Sequence, residues 1–135
     1  MMTFKELLEK RRAIRDFQDK KVPQNILEEI LQESTLAPSA SNDQPCRFSV
    51  VNCKNTMKVL SDESKANLLD DFVNKKTSLS SNYVDVLKDK NFNVFYNAPC
   101  VIYISGSTRV GALDWDCALA ASYMMFSAAA RGLGT

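Results

Sequence analysis

Apolar positions along the chain recur with two different periods. Phe4, Leu7 and Leu8 form a short helical stripe, the spacing of one face of a helix. Thr3 precedes it and Glu6 lies three residues on, the pair of a capping box. Lys10, Arg11 and Arg12 crowd the end of that helix, and Ile14 to Phe17 then mix apolar and charged residues as a short extended piece. Pro23 opens a second helix at a first-turn position, where its missing N–H costs nothing. Its stripe is Ile26, Leu27, Ile30, Leu31 and, at the end, Leu36. Pro38 to Pro45 reads PSASNDQP, which is turn chemistry. Arg47 to Val51 is rich in β-formers and predicts a strand.

The stretch from Asn55 to Asn93 is polar and Lys-rich. It predicts two or three surface helices, joined by a Ser-rich loop at Thr77 to Asn82. Tyr96 to Pro99 breaks the pattern, and Cys100 to Ile104 is nearly all apolar, as expected of a strand buried on both faces. Leu113 to Ala130 is a long helix, apolar on most sides and slimmed by alanines. Such a helix is either fully buried or pressed against a partner. Gly132 suits the position just past its end.

Composition narrows what this arrangement can do. The 135 residues correspond to a single domain. Seventeen basic against sixteen acidic residues leave a net charge of +1, which argues against a protein that coats nucleic acid or anionic lipid. Histidine is absent. That excludes Ser-His-Asp and Cys-His catalysis in their usual forms, and His-ligated zinc, iron or haem. Cys46, Cys53, Cys100 and Cys117 show no CxxC spacing, so no metal site is expected and the thiols read as reduced and mostly buried. The N-terminal segment lacks the apolar core of a signal peptide. The longest uncharged run, Cys117 to Ala130, falls short of the roughly 18 residues a membrane span needs. The expected location is cytoplasmic.

Three clusters could carry chemistry. Arg11, Arg12 and Arg15 place three guanidiniums within five residues, a set suited to phosphate, although by itself the motif reads first as cations that offset a helix dipole and solvate a surface. In the extended part Ala13 and Arg15 share one face, and Ile14 points the other way. Ser39, Ser41, Asn42 and Gln44 bring hydroxyls and carboxamides together before a strand. Carboxamides can match a ring edge that alternates C=O and N–H, or the loop can cap its own backbone. Asp114 and Asp116 open the long helix, where the macrodipole accounts for them.

Taken in order, these pieces resemble the FMN-dependent nitroreductase family. They are RRAIR at Arg11 to Arg15, APSASNDQP at Ala37 to Pro45, FYNAPCVIYIS at Phe95 to Ser105, and DCALAASYMMFSAAARGLGT at Asp116 to Thr135. The resemblance implies an α+β, three-layer fold with a mixed central sheet wrapped by helices. It implies a homodimer with the long helix buried at the interface. Arg11, Arg12, Ala13 and Arg15 would form the box at the FMN phosphate and ribityl chain. Ser39, Ala40, Ser41, Asn42 and Gln44 would line the isoalloxazine ring from the partner subunit. Hydride would pass from NAD(P)H through flavin N5 to a nitroaromatic, quinone or similar small-molecule acceptor by a ping-pong route. No residue would be catalytic in the acid–base sense, because the cofactor carries the chemistry. A non-enzymatic flavin-binding scaffold is the alternative.

The chain departs from the family pattern in three places. Ala13 stands where a small hydroxyl is common, and Cys46 where a Trp often follows Gln-Pro. The family's C-terminal strand and partner-embracing arm are expected to be missing after Thr135.

Overall fold

The computed structural model describes residues 2–135. Helix α1 spans Phe4–Lys10. The Thr3 N–H donates to Glu6 Oε2 at 2.7 Å and the Glu6 N–H donates to Thr3 Oγ1 at 3.3 Å, so the capping box forms as the sequence predicts. Helix α2 spans Gln24–Ser34, with Pro23 at its N-cap. Its buried residues are Leu27, Ile30 and Ser34, a stripe spaced by three and four positions. Leu36 lies beyond the helix and is exposed, so the stripe stops short of the expected end. Strand β1 (Arg47–Val51) pairs with strand β2 (Val101–Ser105) in a two-stranded sheet. Helix α5 spans Leu113–Ala130, the bounds read from the sequence. Gly132 ends it at φ 75°, the left-handed conformation that glycine adopts without steric cost.

The described residues group into two compact units. The first comprises the N-terminal segment through Arg15, Lys21–Val50 and Ile102–Thr135. In it α2 packs along α5, and α1 packs against α5 as well. Ile30, Met124 and Ala128 form the core, with Ile26, Leu31, Phe48, Ile102, Ile104 and Leu133 around them. Alanines at 120, 128 and 129 are buried on α5, and their small side chains let neighbouring helices approach. The Phe4 and Phe126 rings meet at 6.3 Å between centroids.

One expectation about the apolar elements needs correction, and a second is narrowed. In β2, Ile102 and Ile104 join the core, but Tyr103 between them is 41% exposed. One face is covered and the other is not. In α5, Asp116, Ala120, Met124, Ser127 and Ala128 are buried, whereas Trp115, Leu119 and Tyr123 are exposed. The helix is therefore not buried all round within this chain. The thiols also differ from expectation: Cys53 is exposed and Cys46, Cys100 and Cys117 are half-buried.

The second unit comprises Asp16–Lys20 and Val51–Val101. It holds two helices, α3 (Lys54–Val73) and α4 (Ser81–Lys88), with the Ser-rich stretch between them. Met57, Ser61 and Lys65 are buried at every fourth position of α3, and Val84 and Leu87 are buried on α4. Lys65 is a charged residue inside this small core, so it must be paired. Its Nζ donates to the carbonyls of Phe92 at 2.7 Å and Asp89 at 3.3 Å and meets Asp62 Oδ1 at 3.2 Å. Ser61 Oγ accepts from the Val94 N–H at 3.0 Å. Among the described residues no helix is long and apolar enough to cross a membrane.

Candidate functional site

Two polar clusters sit at opposite ends of α5, both in the first unit. The first lies where the chain leaves α1. Arg11 caps that helix in an extended conformation, φ −61° and ψ 129°. Lys10, Arg11, Arg12 and Ile14 line a cleft of about 100 Å³ against Ala129 and the Gly132–Thr135 segment. Ala13 and Arg15 are not among its lining residues. The Ile14 N–H donates to the Thr135 carbonyl at 2.9 Å. The Ile14 side chain packs so closely on Gly134 that a Cβ there would stand 2.8 Å from Ile14 Cγ1. Arg12 is steadied by a 2.7 Å bond from its Nη1 to the Arg11 carbonyl. The cleft has three basic side chains and no acidic side chain, a set suited to an anion.

The second cluster is the loop that follows α2. Ala40–Asn42 forms one 3-10 turn. Ser41, Asn42 and Gln44 all have positive φ, at 52°, 57° and 46°. Three left-handed residues that are not glycine, within four positions, constitute stored backbone strain. The loop is closed internally by the Gln44 N–H on Ser39 Oγ at 2.9 Å and by Gln44 Nε2 on Asn42 Oδ1 at 3.3 Å. Ser39 is half-buried, and Ala40, Ser41, Asn42 and Gln44 are exposed.

Asp116 joins this loop to α5. Its carboxylate is buried, and Oδ1 accepts from the Ala40 N–H at 2.9 Å. It borders a cavity of about 140 Å³ that Ser39, Gln44 and Cys46 also line. Cys46 Sγ and Cys117 Sγ lie 3.7 Å apart, as two hydrogen-bonded thiols. The Cys46 thiol is pushed up to about 11, first by burial, then by Cys117, with the charge on Asp116 adding to it. It is a poor nucleophile.

Sequence reasoning passed over two features of these clusters. Lys10 and the Gly132–Thr135 segment complete the basic cleft, which only a long-range approach reveals. Asp116 looks like a helix-dipole residue by position. Spacing places Asp116 on one stripe with Ala120 and Met124, but Trp115, Leu119 and Tyr123 share that spacing and face outward, so only the fold tells the two stripes apart.

Comparison with known proteins gives this geometry a context. A model of the nitroreductase family matches residues 8–135. The structure is similar to an FMN-dependent nitroreductase of Clostridium difficile, with TM-score 0.78 and 26% identity over 95% of this chain and 56% of that one. It is similar to a nitroreductase of Desulfitobacterium hafniense solved with bound FMN, with TM-score 0.79 and 26% identity over 98% of this chain and 68% of that one. A stretch of 52 residues is 40% identical to a protein of Archaeoglobus fulgidus provisionally named NADH dehydrogenase/NAD(P)H nitroreductase. That stretch covers 38% of this chain and 30% of that protein. The chain thus spans little more than half the length of the first of these solved structures. The family match runs from within α1 to the last residue, through both polar clusters and the helix between them, and the chain belongs to the nitroreductase family.

Proposed function

We propose that this chain forms the flavin-binding part of an FMN-dependent oxidoreductase whose site is completed by a second copy of the chain. The observation that carries the reading is the cleft of Lys10, Arg11 and Arg12 against Gly132–Thr135, in a family whose solved members include FMN-bound nitroreductases. The donor set fits the cofactor. A phosphate is held by charged forks, and the cleft supplies them with no acidic side chain among its lining residues. Arg11 and Arg12 take the phosphate because they line the cleft, and Ala13 and Arg15 complete the box toward the ribityl chain. Ser39, Ala40, Ser41, Asn42 and Gln44 take the ring edge, where carboxamides can both donate and accept.

Helix geometry supports assigning the two clusters to different flavins. Ala129 borders the basic cleft and Asp116 holds the loop. Thirteen residues of helix separate them, about 20 Å at 1.5 Å per residue. The loop of one protomer then serves the flavin held by its partner's arginines. A dimer also accounts for the outer face of α5. Trp115, Leu119 and Tyr123 lie four residues apart and are 75%, 41% and 43% exposed, an apolar stripe of the kind that marks an interface.

The cofactor, when bound, supplies hydride transfer between NAD(P)H and a nitroaromatic, quinone or similar acceptor in two half-reactions. The chain's own residues bind and orient; none is assigned as an acid or base. Reconstitution with FMN tests the reading. The purified chain should take up one FMN per protomer and show a flavin absorption spectrum. Arg11→Ala and Arg12→Ala should each weaken binding at least about tenfold, the effect of losing a charge-assisted hydrogen bond. Leu119→Glu with Tyr123→Glu should yield a monomer on sizing with light scattering. A chain that stays colourless in excess FMN refutes the assignment.

A further inference from the structure

We infer that Asp116 is the positioning residue of the Ser39–Gln44 loop, tethering it in the conformation that faces the flavin ring; this rests on the flavin reading above. The loop is strained at Ser41, Asn42 and Gln44, and strained backbone persists only where its surroundings over-determine it. The Gln44 N–H to Ser39 bond and the Gln44–Asn42 side-chain bond close the loop on itself and leave its placement on the fold open. Placement comes from the bond between the Ala40 N–H and Asp116 Oδ1, which links residues 76 apart in sequence. Ala40 is the first residue of the strained turn. Asp116 itself cannot drift, because it is buried in the first turn of an 18-residue helix.

The other oxygen of the same carboxylate makes the residue a costly one for helix stability alone. Asp116 Oδ2 is buried and has no hydrogen-bond partner among the described residues. A buried acceptor without a donor is costly. An apolar residue on this stripe would remove that cost and add core beside Ala120 and the 140 Å³ cavity. Among the described residues, the hydrogen bond of this carboxylate goes to the loop. Asp116 acts through Ala40, and nothing here places it in contact with reacting atoms.

The test separates the tether from general stability. Amide hydrogen exchange at Ala40, FMN affinity by flavin fluorescence quenching, and the thermal midpoint are measured for the wild-type chain, Asp116→Ala, Asp116→Leu and Asp116→Asn. Asp116→Ala and Asp116→Leu should speed Ala40 exchange at least about tenfold, the effect of removing a hydrogen bond to a charged group. Both should weaken FMN binding by a similar factor, while Met124 in the middle of α5 keeps its protection. Asp116→Leu should melt no lower than wild type, so its loss of affinity cannot be a folding defect. Asp116→Asn retains an acceptor for Ala40 and should stay within about threefold of wild type on both loop readouts. Unchanged Ala40 exchange in Asp116→Leu refutes the tether. Faster exchange with unchanged FMN affinity refutes its role in the site, and so does an Asp116→Asn variant as defective as Asp116→Leu. If the wild-type chain itself takes up no FMN, the flavin reading fails, and the exchange measurement still decides the tether.

Discussion

The clamp between α2 and α5 makes a prediction that can be worked from the structure. Arg131 and Glu33 form a bidentate pair: Nη2 donates to Oε1 at 2.6 Å and Nη1 to Oε2 at 2.9 Å. Ser127 Oγ donates to the same Oε2 at 2.6 Å, and Arg131 also meets Glu29 at 3.2 Å. These donors, Arg131 first and Ser127 next, hold the Glu33 carboxyl at about 2, down from 4.5. Each pH unit of such a difference corresponds to about 1.4 kcal/mol, an upper bound near 3 kcal/mol. The Glu33 side chain is 47% exposed, so solvent screening reduces the realistic figure to about 1 kcal/mol.

The pH dependence follows from the direction of that shift. Because the folded value is the lower one, the unfolded chain takes up the Glu33 proton first as pH falls. The stabilisation is fully present above 4.5 and is lost on the way down to about 2. Glu33→Gln keeps the shape and removes the charge. At pH 7 it should lower the melting midpoint by about 3–5 °C, as about 1 kcal/mol does in a domain of this size. Thermal unfolding of both proteins at pH 7, 4 and 2.5 measures the gap. Other carboxylates titrate equally in both and cancel in the difference. The gap should shrink steadily with acidification, and a gap that is constant or widening from pH 7 to pH 2.5 refutes the clamp.

Three further outcomes can be checked by denaturant or thermal unfolding. Gly106→Ala places a methyl group against Leu113 and 2.9 Å from the Pro45 carbonyl; backbone cannot yield as a side-chain tip does, and the loss should be about 1–3 kcal/mol. An unchanged midpoint would show that the approach is not tight. Ile30→Ala empties the centre of the α2–α5 core and should cost about 2–5 kcal/mol, with a loss under about 1 kcal/mol contradicting that core. Ser41→Gly relieves a left-handed residue at φ 52°. It should stabilise the chain by about 0.5–1 kcal/mol, and a lower midpoint would mean that Ser41 is not strained.

Local chemistry was sufficient for the start of α1 and for the bounds of α5, but not for those of α3 and α4, where α4 begins at Ser81 inside the stretch that reads as a loop. Thr3 and Glu6 specify where α1 begins, because a capping box satisfies backbone groups within four residues. Pro23 marks the start of α2, though at the N-cap and not in the first turn, and Gly132 ends α5 for an equally local reason, a permitted positive φ. The ordered motifs around Arg11, Ser39, Phe95 and Asp116 were enough to place the chain in its family, since each is a run of neighbouring residues. Tertiary structure decided the rest. It made β2 and α5 one-sided, because burial depends on what lies opposite and apolar sequence cannot say which face is left uncovered. It brought Lys10 and Gly134 into one cleft with Arg11 and Arg12, and left Arg15 out of its lining. It also turned Asp116 from a helix-dipole residue into the partner of an amide 76 positions away. A hydrogen bond across that separation depends on how α2, the loop and α5 pack together, and no local pattern around either residue contains it.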